Sequence, residues 1–320
     1  MADLRVENLK AHFFTTSGTV KAVDGVSFSL NGKSLGIAGE SGSGKSTLGF
    51  ALMKLLPSPG KIVSGSVYLG GTNILDVKEE EFRSEIRWKR ISMVFQGAMN
   101  AMNPVYTVAY QLMEPLRYHV EITKEEASMK AEAALKEVGL DVSIMNRYPH
   151  ELSGGMKQRV VIAMALILRP QIVIADEPTT ALDVIVQAQV INLLKRLKKE
   201  LGLSIIMITH DLSVISELAD IVGIMYAGEF VEIGPAEQIY SNPKHPYTQK
   251  LLNAVPRLHG EHSKLESIPG APPDLKSPPP GCRFHPRCPY VMDNCRTEDP
   301  PYFDFGNEQR AKCWLYKEKA

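Results

Sequence analysis

The chain has 320 residues, 44% of them hydrophobic, and its 36 basic side chains balance 36 acidic ones. That length fits one large or two modest domains, and the neutral balance argues against a strongly basic nucleic-acid binder, local patches aside. The longest uninterrupted apolar run, Val160–Leu168, is closed by Arg159 and Arg169, far short of the roughly 18 residues that cross a bilayer.

Met1-Ala2-Asp3-Leu4-Arg5 has neither the apolar core nor the cleavage site of a signal peptide, so the expectation is a soluble cytoplasmic chain, free or docked onto membrane proteins. Residues 4–9 and 26–30 are predicted strands around a connection at Ser17-Gly18. Phe13 and Phe14 lie in this region. An aromatic there can stack on adenine, although burial in the core is the commoner fate.

Ser34–Ala38 is a predicted buried strand, and Leu48–Leu56 a predicted helix stopped by Pro57. Between them runs Gly39-Glu40-Ser41-Gly42-Ser43-Gly44-Lys45-Ser46-Thr47, which fits the phosphate-loop pattern G-x-x-x-x-G-K-[ST]. A glycine loop feeding a helix N-terminus offers unpaired backbone N–H groups to phosphate. Lys45 would reach the β- and γ-phosphates, and the Ser46 hydroxyl can ligate Mg²⁺.

Residues 60–75 are predicted as a strand pair, with Ser64-Gly65-Ser66 and Gly70-Gly71 as turns. Lys78–Arg90 reads as a solvated helix face, and Ile91–Phe95 as a buried strand ending at Gln96, before an irregular stretch to Pro104. Residues 108–147 are rich in helix formers. Leu152-Ser153-Gly154-Gly155-Met156 opens an apolar helix running to Leu168, and its Ser-Gly-Gly cap is a second possible anion site. Ile172–Ala175 is a buried strand that delivers Asp176 and Glu177 at its C-terminal end, where ligands of parallel sheets sit. Asp176 suits Mg²⁺, and Glu177 suits a base acting on water. Ala181-Leu182-Asp183 leads to an amphipathic helix over Val186–Leu201, and the strand Leu203–Thr209, expected beside the Asp176-Glu177 strand, ends at His210. A strand pair over Ala219–Ile233 and a helical stretch to residue 255 follow, then a Pro-rich linker.

The set 39–47, Gln96, 152–156, Asp176-Glu177, 181–183 and His210, in that order, resembles the ATPase subunit of an ATP-binding cassette (ABC) transporter over about residues 4–255. Met156 departs from the commonest signature, which has Gln there, but Ser-Gly-Gly is intact. The resemblance implies an α/β fold: a P-loop NTPase ABC cassette with a mixed-sheet core, an antiparallel β part and a helical subdomain, plus a small Cys-rich extension. The implied domains are 1–255 for nucleotide binding (helical subdomain about 97–165), a linker over 256–281 and a four-cysteine extension over 282–320. Asn242–Thr248 and Gly281–Pro289 resemble the oligopeptide/dipeptide importer subfamily, whose relatives also take up nickel chelates or oligosaccharides. Substrate choice in that subfamily belongs to the membrane subunits and the external binding protein.

The resemblance assigns roles residue by residue. Phe13 stacks on adenine. Gly39, Ser41, Gly42, Ser43, Gly44, Lys45, Ser46 and Thr47 hold ATP, with Gln96 joining them. Ser46, Gln96 and Asp176 serve Mg²⁺, Glu177 polarises water, and His210 contacts the γ-phosphate. Ser153, Gly154, Gly155, Met156 and Asp183 face the ATP held by a second ATPase subunit, a related, non-identical chain. Two transmembrane permease subunits and, indirectly, an extracellular solute-binding protein complete the implied assembly, with no nucleic acid. The implied location is the cytoplasmic face of the cell membrane, as a peripheral subunit. A soluble ABC ATPase of nucleic-acid repair or translation is the alternative, but such chains carry two cassettes or a long coiled coil. A small-molecule kinase would need neither Ser153-Gly154-Gly155 nor His210.

The cysteines are Cys282, Cys288, Cys295 and Cys313, all in the last forty residues. A reducing compartment disfavours disulfides. Four thiolates suit zinc, but the usual short C-x₂₋₄-C knuckle is missing; a cubane iron–sulfur cluster accepts wider spacings. The tail is also Pro-rich and poor in apolar residues, which favours a metal centre for folding. Some members of the resembled subfamily carry a [4Fe–4S] cluster in this tail, which favours the cluster over zinc.

Overall fold

The computed structural model describes residues 3–254 and 268–319, so residues 256–267 of the predicted linker lie outside the described residues. In chain order the first elements are β1 (Leu4–Thr15), β2 (Gly18–Ser29), β3 (Leu35–Ala38), α1 (Lys45–Leu52), β4 (Gly60–Leu69), β5 (Thr72–Asn73), α2 (Glu79–Glu81) and β6 (Ile91–Val94). Then come α3 (Val108–His119), α4 (Lys124–Glu137), α5 (Gly154–Leu166), β7 (Ile172–Asp176), α6 (Val184–Leu201), β8 (Ser204–Ile208) and α7 (Leu212–Leu218). The last are β9 (Ile221–Tyr226), β10 (Glu229–Pro235), α8 (Ala236–Ser241), α9 (Pro246–Asn253), β11 (Tyr302–Asp304) and β12 (Arg310–Lys312).

Contacts divide the chain into two units that do not follow sequence order: Asn73–Met207, and Asp3–Thr72 with Ile208–Ala320. In the second unit, β1 and β2 form a hairpin longer than expected, inside an antiparallel sheet of order β2-β1-β4-β5. The predicted turn at Ser64-Gly65-Ser66 is a bulge within β4: Glu7 pairs with Ser66, but Lys10 pairs with Ser64. Gly65 sits there at φ 102, and a Cβ would lie 2.5 Å from the Leu9 Cα. A glycine inside a strand commonly marks a bulge of this kind rather than a turn.

The same unit holds strands in the order β11-β12-β10-β9-β3. β3 runs parallel to β9, and β10 and β12 continue antiparallel, so the sheet is mixed. All four residues of β3 are buried, as a strand covered on both faces requires. α1 starts earlier and stops sooner than the apolar pattern suggests, with Met53 as C-cap and Lys54 at φ 52.

In the first unit, β6 and β7 run parallel and β8 lies beside β7, as expected from the sequence. The charged stretch 78–90 holds the short α2 and one π turn rather than one regular helix, with Phe82 and Ile86 buried. α3, α4 and α5 form the helical part. Thr123 and Glu126 close a capping box at the start of α4, which satisfies end-of-helix amides reciprocally. Among the described residues, no helix is long and apolar enough to cross a membrane.

Candidate functional site

After Ala38 the chain turns into α1, and Ser43 N–H donates to the Glu40 carbonyl at 3.2 Å. Gly44, the N-cap of α1, has φ 104, and a Cβ there would lie 1.9 Å from the Ala22 carbonyl oxygen. Only glycine meets both demands. No side chain caps α1 at Gly44, and a helix start of this kind receives anions through its amides. Lys45 is buried, and its Nζ donates to the Gly39 and Glu40 carbonyls at 2.8 and 2.9 Å. Ser41 and Gly42 are exposed, Ser43 is buried, and Ser46 and Thr47 are half-buried.

Two further predicted residues lie in the same unit. Phe13 is half-buried on β1, with its ring edge where a Cβ on Gly60 would fall, whereas Phe14 is 47% exposed. His210 is exposed. The Thr209 N–H donates to the Ile37 carbonyl of β3 at 3.2 Å, which sets His210 beside the strand that enters the loop.

In the other unit, the five buried residues of β7 end in Asp176, fully buried, followed by Glu177 at φ 46. Such a conformation is strained for a residue with a side chain and is characteristic of functional sites. The Glu177 Oε2 accepts from the Thr180 hydroxyl at 2.8 Å and the Gln96 Nε2 at 3.2 Å. The structure therefore brings Gln96 and Glu177 together. It also adds Thr180, whose only sequence signal is its position three residues beyond Glu177. A carboxylate oriented by two donors suits a group that must aim at a water.

Ser153 is the N-cap of α5 and accepts from the Met156 N–H at 3.3 Å. A Cβ on Gly155 would meet Val186 at 2.7 Å, so this glycine lets α5 approach α6 closely. Asp183 caps α6, accepting from the Val186 N–H at 2.9 Å. Ser153, Gly154 and Asp183 are all exposed, and Val184 and Ile185, next to Asp183, are 82% and 72% exposed.

The cysteine extension packs against the phosphate loop. Arg287 places both terminal nitrogens on the Glu40 carboxylate, at 2.6 and 2.9 Å, and Phe284 is fully buried against Tyr226, Tyr247 and His245. No pattern announced these contacts.

The four cysteines carry no disulfide; Cys295 and Cys313 are buried and the other two half-buried. The Cys282 N–H donates to the Cys295 carbonyl at 2.9 Å. Burial pushes the Cys282 and Cys313 thiols up to about 12, and the neighbouring thiols add to the rise. Burial also raises Cys288. Among the described residues, no three His, Cys, Asp or Glu side chains form a group that would hold a metal ion.

Comparison with known proteins gives two family matches. Residues 23–180 match the family described as ABC transporter, and residues 231–295 match the oligopeptide/dipeptide transporter C-terminal region. The chain is 46% identical over 318 residues to the dipeptide transport ATP-binding protein DppD of Caldanaerobacter subterraneus subsp. tengcongensis, covering 98% of this chain and 97% of that protein. It is 49% identical over 300 residues to the oligopeptide transport ATP-binding protein OppD of Salmonella typhimurium, covering 93% and 89%. Among solved structures, a dimeric ATP-binding cassette in a post-hydrolysis state with ADP and Pi is similar at TM-score 0.65 and 30% identity, covering 73% of this chain and 98% of that one. A cbiO1 chain of Clostridium perfringens, part of the ABC transporter complex cbiONQ, is similar at TM-score 0.64 and 28% identity, covering 75% and 90%.

Proposed function

This chain belongs to the ABC transporter ATPases, in their oligopeptide/dipeptide branch, and hydrolyses ATP; from that premise we propose that it powers the import of di- or oligopeptides. The observation that carries this reading is the joining of cassette motifs to the branch's C-terminal region within one chain that matches peptide-transport relatives over nearly its whole length. The nucleic-acid alternative has no such support.

In this reading Phe13 stacks on adenine, the loop 39–47 seats the phosphates, and Lys45 exchanges its two carbonyl partners for phosphate oxygens, which are stronger acceptors. Ser46, Gln96 and Asp176 each offer an oxygen of the kind Mg²⁺ prefers and would hold the ion, which would supply charge neutralisation at the phosphates. Glu177, held by Thr180 and Gln96, accepts a proton from water as its oxygen attacks the γ-phosphorus. The bond to the bridging oxygen breaks, leaving ADP and inorganic phosphate, with His210 against the γ-phosphate. Ser153, Gly154, Gly155, Met156 and Asp183 close on the ATP of a second, related ATPase subunit. The exposure of the signature and of Val184 and Ile185 supports a surface made to be covered. The family places two permease subunits against the helical part, where Val105 is 70% exposed and Tyr106 stacks on Tyr110 at 4.2 Å. The chain is then peripheral, on the cytoplasmic face of the membrane, and meets an external solute-binding protein only indirectly.

The four-cysteine tail is read as the seat of a [4Fe–4S] cluster rather than zinc. Four neighbouring thiols, spaced more widely than a zinc knuckle, suit a cubane. Protein purified without air should be brown, with iron and sulfide that disappear in Cys288→Ser; colourless protein with stoichiometric zinc would overturn it. The transport reading is tested by reconstituting the chain with its partner ATPase and permeases in vesicles. ATP-dependent uptake of a labelled dipeptide or oligopeptide is expected. Uptake of a nickel chelate or oligosaccharide instead would overturn the peptide assignment.

A further inference from the structure

Glu40, the second residue of the phosphate loop, is held from three directions. Its carbonyl accepts from Lys45, its N–H donates to the Tyr247 hydroxyl at 2.9 Å, and its carboxylate takes the two-pronged Arg287 contact. Arg287 is itself fixed. Its Nε donates to the Pro269 carbonyl at 2.8 Å, one terminal nitrogen also reaches the Tyr226 hydroxyl at 3.3 Å, and the guanidinium lies 5.8 Å from the Tyr226 ring centre. Behind it, Tyr226, Tyr247 and Phe284 pack ring against ring at 4.7, 5.2 and 5.4 Å. Arg287 is buried and lies in the short turn just before Cys288.

We propose that Arg287 is a positioning residue for nucleotide binding, through which the cysteine extension holds the phosphate loop in its phosphate-receiving shape. The proposal rests on the reading that residues 39–47 seat ATP. A glycine-rich loop has many conformations, and each must be given up when phosphate binds; fixing the loop beforehand removes that cost from the binding step. An arginine fork matches a carboxylate in a plane and restricts its rotation, which a lysine point charge does not. Until it turns to the phosphates Lys45 rests on the Glu40 carbonyl, so a shift of Glu40 moves the cation that must meet them. Arg287 is buried and Glu40 partly so, which limits screening by counter-ions.

The test measures ATP affinity and steady-state kinetics for the full chain with its cognate partner, in Arg287→Met, Glu40→Gln, the double variant and Arg287→Lys. Glu40→Gln is decisive, because removing a negative charge near bound phosphates would by electrostatics alone tighten ATP binding. Positioning predicts the reverse. Both single variants should bind ATP about tenfold more weakly, the lower end of what losing a supporting contact costs. KM should rise while kcat stays within about twofold, the signature of lost uniform binding. The double variant should be no weaker than either single one, and Arg287→Lys should recover part of the affinity. Tighter or unchanged binding in Glu40→Gln, or multiplied losses in the double variant, would overturn the proposal. If Arg287→Met fails to fold, as its thermal unfolding would show, Glu40→Gln still decides, since it leaves the extension's own residues untouched. Failure of the parent chain to bind ATP would overturn the phosphate-loop reading and the proposal together.

Discussion

The motifs that carry the chemistry and the extension that braces them are held in opposite ways. Lys45 bonds to carbonyls five and six residues back, Ser153 caps an amide three residues on, and Glu177 takes a hydroxyl three residues on. The extension reaches across the chain instead. Arg287 meets Glu40 over 247 residues, Arg283 meets Asp24 over 259, and Arg310 meets the Ser27 carbonyl over 283. Most bonds of the catalytic motifs are local, the Gln96–Glu177 contact across 81 residues excepted, whereas those of the extension are long-range. The difference predicts that the two regions fail differently: local motifs should lose a reaction step while the fold stands, and the extension should lose stability while each motif keeps its own bonds.

Glu177→Gln is the sharpest trial of the local side. Turnover should fall roughly 10²- to 10⁴-fold, the range for a positioned base, with ATP still bound and the unfolding temperature close to the parent's. A mutant hydrolysing at the parental rate removes Glu177 from the chemistry; a large drop in unfolding temperature breaks the comparison.

Phe284→Ala addresses the extension. The ring is fully buried among three aromatic neighbours, and deleting such a side chain costs about 3–5 kcal/mol. Chemical denaturation should show that loss in the whole second unit. A variant whose unfolding midpoint matches the parent's would make the extension a passenger.

Ser153→Arg puts a bulky cation where the partner's γ-phosphate is proposed to dock. Overpacking costs about 1–3 kcal/mol, so ATP-dependent dimerisation should weaken roughly 5- to 150-fold. ATP affinity of the variant's own loop should hold. Lost affinity with normal dimerisation would contradict the assignment.

The smallest effect is a pH dependence. Burial holds the His245 imidazole neutral, with the Lys312 charge adding, and takes its pKa from 6.5 to about 3. The unfolded chain thus gains a proton near pH 6.5 that the folded chain refuses until about 3. Stability is full above that upper value and falls as pH drops through the window, by at most about 1.4 kcal/mol per pH unit. Glu232, whose carboxylate accepts from the Lys244 and His245 amides, is raised by burial and acts in the opposite sense, losing stability as pH rises. Comparing His245→Gln with the parent between pH 6.5 and 5 cancels the Glu232 contribution. The variant should show a slope shallower by one proton, and equal slopes would remove His245 as the cause.

The sequence alone determined the elements whose information is contiguous. Residues 39–47 spell a loop because glycines, a lysine and a helix start must be adjacent to build it. β7 and its Asp176-Glu177 end are legible because a strand buried on both faces must be apolar throughout, so two carboxylates closing it stand out. Signals that report only local flexibility were ambiguous: Gly65 reads equally as turn or bulge, and pairing with β1 makes it a bulge. The charged run 78–90 suggested a helix, but its charge pattern carried no sign of the π turn that the chain adopts there. Tertiary structure alone decided the partners of Glu40 and the place of the cysteine extension. An ion pair between residues 247 apart leaves no periodicity or spacing in the chain, because its two halves are matched by the fold that brings them together and not by their neighbours.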